Sequence, residues 1–405
     1  MRRPRPLPLA GATALVGLLV GGLAVPALAG PPAPEPAGSG VQQAELVGRA
    51  VLPALTFGEE VPSGSLVADA NGVDAPFAAQ PVQGFSGLLP QGDGEALVLS
   101  DNGYGTKANS GDYLLRVNRL RIDPVGGEVA VVGGFGLSDP DHLLPQPLTR
   151  ADRRLTGADL DPESFQQLPD GTFWFGEEFG PSLVHTDAEG RVLSAPVAPS
   201  GVRSPDAPDL AGGQPTIGSS KGFEGMALSP DGRTLYPMLE GAVAGDDPQT
   251  LRIYSFDTRK EEYTGIKAQF RLESPGDAIG DLVALDDHRF LVIERDNAQG
   301  PEARLKAVYL IDTRDRDRDG FADKQLLVNL LAIPDPAGIA GAPGSFLTFP
   351  FVTIEQLAVL DDHTIVVGND NNFPGSAGRT AGVPDDNEYA VVRVDQDLDV
   401  RAPRR

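Results

Sequence analysis

Five times along this 405-residue chain a short apolar run passes through a tight polar turn into a second apolar run that ends in acids or amides. The copies are SGLLPQGDGEALVLSDNG from Ser86, ESFQQLPDGTFWFGEEFG from Glu163, EGMALSPDGRTLYPMLEG from Glu224, DLVALDDHRFLVIERDN from Asp281 and EQLAVLDDHTIVVGNDNN from Glu355. Each reads as strand, turn, strand and acidic loop. A third strand-like run follows every copy: DYLLRVNRL, PSLVHTDAEG, LRIYSFDT, AVYLIDT and YAVVRVD. A fourth is visible after several, as in GRVLSAPVA from Gly190. Self-similar antiparallel units at intervals of about 55 to 75 residues fit the blades of a propeller.

No long 3.6-residue periodicity appears after the first 30 residues, and 49 Gly and 37 Pro punctuate the short runs. The chain is therefore expected to be all-β, a β-propeller of antiparallel four-stranded blades. Five repeats are read directly, and a sixth has room in residues 56–83 or 137–158. The early run ELVGRAVLPAL, from Glu45, looks like a fourth strand, and the last repeat lacks one. The two ends are expected to close the ring together and so remove free sheet edges.

In an antiparallel hairpin the start of the first strand and the end of the second share one end, opposite the turn. This brings Glu163 near Glu177 and Glu178, and Glu224 near Glu240. It also brings Asp281 near Glu294, Asp296 and Asn297, Glu355 near Asn369 and Asp370, and Ser86 near Asp101 and Asn102. If each first strand lines the central channel, these groups converge on one face. Crowded carboxylates repel and hold their protons unless a cation neutralises them. Such a ring of hard oxygens suits Ca2+, which takes six to eight of them, whereas a chain with no Cys and four His offers little to a softer metal. Solvated strand-end residues that accept backbone N–H bonds are the plainer alternative at each single position.

A second candidate is DRDRDGFAD, where Asp315, Asp317, Asp319 and Asp323 follow the spacing of a calcium loop as far as its ninth position. Leu326 stands where the bidentate Glu of a complete EF-hand would be, so the expectation is a calcium-stiffened loop. Lys221, Arg295 and Arg379 lie beside acidic loops and are candidate holders of a substrate phosphate or carboxylate, with ion pairing to neighbouring acids as the alternative. GSSKG at 218–222 matches a nucleophile motif only by letter, since it joins no strand to a helix. His288 and His363 fall in hairpin turns at the end opposite the acids, and nothing pairs His142 or His185 with a serine.

Residues 1–29, with arginines ahead of an uncharged apolar stretch ending Ala-Leu-Ala, read as a signal peptide. Residues 30–43 read as a Pro/Gly-rich linker and 44–400 as the propeller domain. The expected location is extracellular, periplasmic or the cell envelope. A secreted chain without cysteine depends on a large apolar core instead of disulfides. The 33 Lys+Arg against 57 Asp+Glu give a formal charge of −24. That excludes nucleic acid as a natural partner and disfavours polyanions unless bound cations reverse the local field. After the leader no stretch reaches the roughly 18 apolar residues of a membrane span.

The stretches SDNGYGTKANSGDYLLRV, LTGADLDPESFQQLPDGTFWFGEEFGP, KGFEGMALSPDGRTLYPMLEG, AIGDLVALDDHRFLVIERDN and FPFVTIEQLAVLDDHTIVVGNDNNFPGSAGR closely resemble the family named "esterase-like activity of phytase". The likeness runs from about residue 45 to 398. It implies a secreted or periplasmic propeller-like protein with hydrolytic activity on phosphate or carboxylic esters. The motifs that bind phosphate in calcium-dependent propeller phytases are missing, which argues against phytate itself. The expected function is metal-assisted ester hydrolysis by a monomer on a small-molecule substrate. Ca2+ would sit among Glu163, Glu178, Glu240, Glu294, Asp296, Asn297, Glu355, Asn369 and Asp370. Glu177 or Glu224 would act as general base. The alternatives are a calcium-stabilised binding propeller and a lactonase-like hydrolase.

Overall fold

The computed structural model describes residues 44–58 and 61–401; the leader and linker read at 1–43 lie outside the described residues. The first strand, β1 (Ala44–Leu52), is used last by the fold. The first blade is β2 (Phe85–Gly92), β3 (Glu95–Ser100), β4 (Arg116–Asp123) and β5 (Glu128–Gly136). The second holds β6 (Pro162–Gln167), β7 (Phe173–Glu177) and β8 (Ser182–Thr186). Its expected fourth strand is reduced to the bridges Thr186–Val192 and Leu183–Val197. The third is β9 (Phe223–Leu228), β10 (Thr234–Leu239), β11 (Thr250–Asp257) and β12 (Glu262–Arg271). The fourth is β13 (Ala278–Ala284), β14 (Arg289–Arg295), β15 (Lys306–Asp312) and β16 (Asp323–Asn329). After the small hairpin β17 (Ile333–Asp335) and β18 (Ser345–Leu347), the fifth blade runs β19 (Thr353–Asp361), β20 (Thr364–Asp370) and β21 (Asn387–Val394).

That last blade takes its fourth strand from the other end of the chain. β1 pairs antiparallel with β21 from Ala44–Val394 to Leu52–Asn387. A single parallel bridge, Val51–Glu128, then ties β1 to the outer strand of the first blade. The first strands meet in a closed ring of contacts, β2 to β6 to β9 to β13 to β19 and back to β2. The molecule is a five-bladed propeller among the described residues. Residues 56–83 and 137–158, where a sixth blade had room, contribute only isolated bridges such as Phe57–Pro81, Ser63–Phe77 and Ser138–Arg154.

Alternation along the strands explains why their apolar runs are continuous. A blade is covered on both faces, so successive residues enter different interfaces. In β3, Leu97 and Leu99 join Phe165, Phe173 and Phe175 of the second blade, while Ala96 and Val98 join Ala358 and Val366 of the fifth. Equivalent clusters fill the remaining gaps: Trp174, Phe223 and Phe256; Met238, Phe290 and Val292; Ile293, Val308, Leu357 and Val367. Each such side chain contributes about 1.5–3 kcal/mol by leaving water, so a cysteine-free chain holds five rigid sheets around one channel. At the hairpin-turn end the channel widens into a funnel of about 570 Å3 lined by Leu88, Phe165, Leu228, Val283, Leu357 and Arg401. The opposite end carries the acids.

Candidate functional site

One register recurs at the acidic end. Phe85 faces Ser100, Pro162 faces Glu177, Phe223 faces Leu239, Ile279 faces Glu294 and Ile354 faces Asn369. Directly after each of these pairs the first strand carries an extra residue, a β-bulge. A bulge re-aims a side chain that a regular pleat would send to a sheet face. The bulge positions hold Ser86, Glu163, Glu224, Gly280 and Glu355. The residues leaving the second strands at the matching height are Asp101, Glu178, Glu240, Arg295 and Asp370.

These two tiers form the site. Asp101, Glu163, Glu178, Glu224, Glu240, Glu355 and Asp370 are all buried, as is Asp161 just before β6. Eight carboxylates are thus set against two nearby cations, Arg295 and Lys221. The Arg295 Nη2 lies 3.1 Å from Glu240 Oε1, 3.2 Å from Glu355 Oε1 and 3.5 Å from Glu224 Oε1. Its Nη1 donates to Asn297 Oδ1 at 2.7 Å. Lys221, about a third exposed, pairs its Nζ with Glu240 Oε2. Ser86 Oγ donates to Glu355 Oε2 at 3.1 Å.

Burial, reinforced by mutual repulsion, drives Asp101, Asp161, Glu163, Glu178, Glu224, Glu355 and Asp370 toward their protonated forms. Asp101, Glu163, Glu178 and Glu224 are held well above the ordinary range, Asp370 rises to about 8 and Asp161 to about 6. Hydrogen bonding from Glu163 and Asn102 moderates the rise at Asp161. The alternative to protonation is a bound cation. Asp161, Glu163 and Glu178 each offer an oxygen within 4.8 Å of the others, and so do Glu178, Glu224 and Glu240. Asp161 Oδ1 and Glu178 Oε1 are buried with no hydrogen-bond partner. Oxygen-only donors, excess negative charge and orphaned lone pairs fit a hard divalent ion. Beside Asp101 a cavity of about 370 Å3 opens between Tyr104, Phe373 and Ser376.

The structure separates the expected ligands into two groups. Glu163, Glu178, Glu240, Glu355 and Asp370 enter the ring, together with Glu224 and Arg295. Glu177 does not. Its oxygens accept from Phe179 N at 2.9 Å, Gly180 N at 2.7 Å and Ser182 Oγ at 2.8 Å, fastening its own turn. Glu294 pairs with Lys324 and accepts from Glu273 N. Asp296 binds Leu305 N at 2.9 Å and Lys306 Nζ at 3.1 Å. Asn369 accepts from Glu388 N at 2.7 Å, and Asn297 serves Arg295. Arg379 lies apart, paired with Glu388 at 2.8 Å and stacked over Phe351. The cause is the two-residue pleat, which sends Glu177, Glu294 and Asn369 away from their neighbours Glu178, Arg295 and Asp370.

Asp281, aligned in the sequence with Glu163, Glu224 and Glu355, is displaced by one position, because Gly280 is the bulge residue of its blade. A Cβ at Gly280 would meet the Ile354 carbonyl oxygen at 1.8 Å, so only glycine fits there. Asp281 instead accepts from Leu282 N at 2.7 Å and Leu357 N at 2.9 Å, tying the fourth blade to the fifth. Asp161 escaped the sequence reading because it precedes the repeat. Its only signal was the clustering of acids in ADLDPE.

The aspartate loop lies between β15 and β16, on the rim. Asp315, Asp317 and Asp323 bring oxygens within 4.8 Å of one another, while Asp319 pairs with Arg271 at 3.3 Å. Asp315 and Asp323 already accept from Gly320 N and Arg316 N.

A family model described as "Phytase-like: Esterase-like activity of phytase" matches residues 80–373. An "Uncharacterized secreted protein" of Arthroderma benhamiae is 30% identical over 125 residues, 26% of this chain; the chain spans about a quarter (24%) of that relative's length. Among solved structures, a luciferin-regenerating enzyme is similar at TM-score 0.38 and 13% identity, covering 89% of this chain and 99% of its own. An exo-β-1,3-galactanase from Clostridium thermocellum is similar at TM-score 0.44 and 11% identity, covering 86% and 67%.

Proposed function

Because this chain belongs to the phytase-like family, "Esterase-like activity of phytase", we propose that it hydrolyses phosphate or carboxylic esters at the acidic mouth with the help of a bound hard cation. The observation that carries this reading is the buried trio Asp161, Glu163 and Glu178, two of whose oxygens have no partner. Those three residues would hold the ion. When bound, a divalent ion supplies Lewis-acid polarisation of the ester oxygen and lowers the pKa of a water.

The chain's own residues provide the rest. Glu224 would take the proton of an attacking water, its ionised form favoured by Arg295 at 3.5 Å. The water oxygen forms the new bond to phosphorus or the acyl carbon. The bond to the alcohol oxygen breaks, and the proton passes through Glu224 to the departing alkoxide. Lys221, held by Glu240 and about a third exposed, is the cation that would receive the anionic end of the substrate. Arg295 is not free for that task, since three glutamates and Asn297 already engage it. The surplus of buried carboxylates favours a substrate with one ester group over a polyanion such as phytate.

The burial of the ring supports a second reading, a non-catalytic propeller in which the cation only stiffens the mouth; lactone opening is a third. The apolar leader supports placing the protein outside the cytoplasm. No helix among the described residues is long and apolar enough to cross a membrane. The test is turnover of aryl phosphates, aryl acetates, phytate and lactones, with calcium or chelator, by wild type and Glu224→Gln. Calcium-dependent turnover lost in the variant is expected. Turnover untouched by both treatments would remove the metal mechanism, and no turnover alongside a calcium-raised Tm would favour the binding module.

A further inference from the structure

The residues that leave the second strands are equivalent by register in all five blades, yet they are not alike. Four are acids, Asp101, Glu178, Glu240 and Asp370, and the fourth blade alone supplies Arg295. That guanidinium is 4% exposed and touches Glu224, Glu240 and Glu355. The two carboxylate trios share Glu178. In one, Glu178–Glu224–Glu240, Arg295 pairs with Glu224 and Glu240 and Lys221 pairs with Glu240. In the other, Asp161–Glu163–Glu178, no lysine or arginine forms an ion pair among the described residues, and the orphaned Asp161 Oδ1 and Glu178 Oε1 belong to side chains only 1% and 3% exposed.

We propose that the ring has two neighbouring cation seats, that the chain fills the one walled by Glu224, Glu240 and Glu355 with its own Arg295, and that the other, Asp161–Glu163–Glu178, takes a single divalent ion of the calcium type. A planar guanidinium with several N–H donors suits a seat walled by three carboxylates, because it supplies charge and hydrogen bonds together. A blade-equivalent acid in its place would have added another carboxylate to an already overloaded ring. The inference rests on the reading of this mouth as the reaction site, but it is tested by binding, so either can fail alone.

The experiment is calorimetric titration of calcium chloride into the chelator-treated full chain. It uses an Asp315→Asn/Asp317→Asn/Asp323→Asn background, which removes the rim loop from the count. One ion per chain is expected. Asp161→Asn should weaken binding at least about tenfold, whereas Glu240→Gln, in the other seat, should leave it within about twofold. Arg295→Lys should keep one ion and Arg295→Met should raise the count to two, with melting of each variant followed with and without calcium.

Zero or two ions in the background protein would overturn the proposal. So would stronger dependence on Glu240 than on Asp161, or a folded Arg295→Met that still binds one. If Arg295→Met does not fold, the contrast between Asp161→Asn and Glu240→Gln decides. One bound ion with no ester turnover would remove the hydrolase and leave the seats. Turnover without any calcium bound would remove both the seat and the metal mechanism and leave a metal-independent esterase.

Discussion

Replacing Asp281 by Asn should change the pH dependence of stability in a calculable way. Burial, with the nearby Glu355 charge adding to it, lifts this carboxyl from an ordinary 3.8 to about 7, against the pull of two backbone N–H donors. The folded state therefore holds the proton more tightly than the unfolded chain. Stability from this residue is full below about pH 3.8 and is lost as pH rises through about 7. The rise is worth about 4 kcal/mol in total, of which about 2.5 kcal/mol falls between pH 5 and 8. Asparagine carries no charge at any pH, but its amide cannot accept from both Leu282 and Leu357, a cost of about 1–3 kcal/mol throughout. In urea denaturation at pH 5, 6, 7 and 8, the variant should lie within about 1.5 kcal/mol of wild type at pH 5 and should be the more stable of the two at pH 8, the difference moving by about 2.5 kcal/mol in its favour. Ring titrations common to both proteins cancel in the difference. A gap that stays constant within about 0.5 kcal/mol across that range would refute the account of Asp281 as a buried staple with a raised pKa.

Glu177→Ala should cost about 2–4 kcal/mol by unfastening the Phe179–Ser182 turn, measured by denaturant midpoint, while ester turnover per folded molecule falls far less than in Glu224→Gln. Arg295→Met should destabilise the calcium-free protein by about 3–5 kcal/mol near pH 8. That loss should shrink on acidification, as Glu224 and Glu355, whose pKa values are raised by burial, take up protons; thermal melts at pH 5 and 8 decide it. Chelation should lower Tm more at pH 8 than at pH 5, because the emptied ring neutralises itself with protons more fully at the lower pH. An equal drop at both would break the link between the ring and the ion.

The blade plan was legible because each repeat carries its own strand, turn and strand signals, and a local pattern predicts a local hairpin. The hidden part was phase. The sequence places Glu177 and Glu178, or Asn369 and Asp370, at one strand end, and only the pleat decides which of each pair reaches the channel. The bulge adds a second shift. It turns Glu163, Glu224 and Glu355 inward and leaves Asp281 one step out of line behind Gly280. Asp161 was missed for a different reason, since its loop joins the ring through tertiary packing that no period records.

The placement of β1 has a consequence for how the molecule assembles. Its partner β21 is made more than 330 residues later, so β1 stays without that partner until nearly the whole chain exists. Until then β1 carries unpaired backbone donors and acceptors through the formation of four other blades. Closure is therefore a late, long-range step. A competing strand supplied at that moment, from another copy or as a peptide matching Ala44–Leu52, would be captured by β21 in the place of β1.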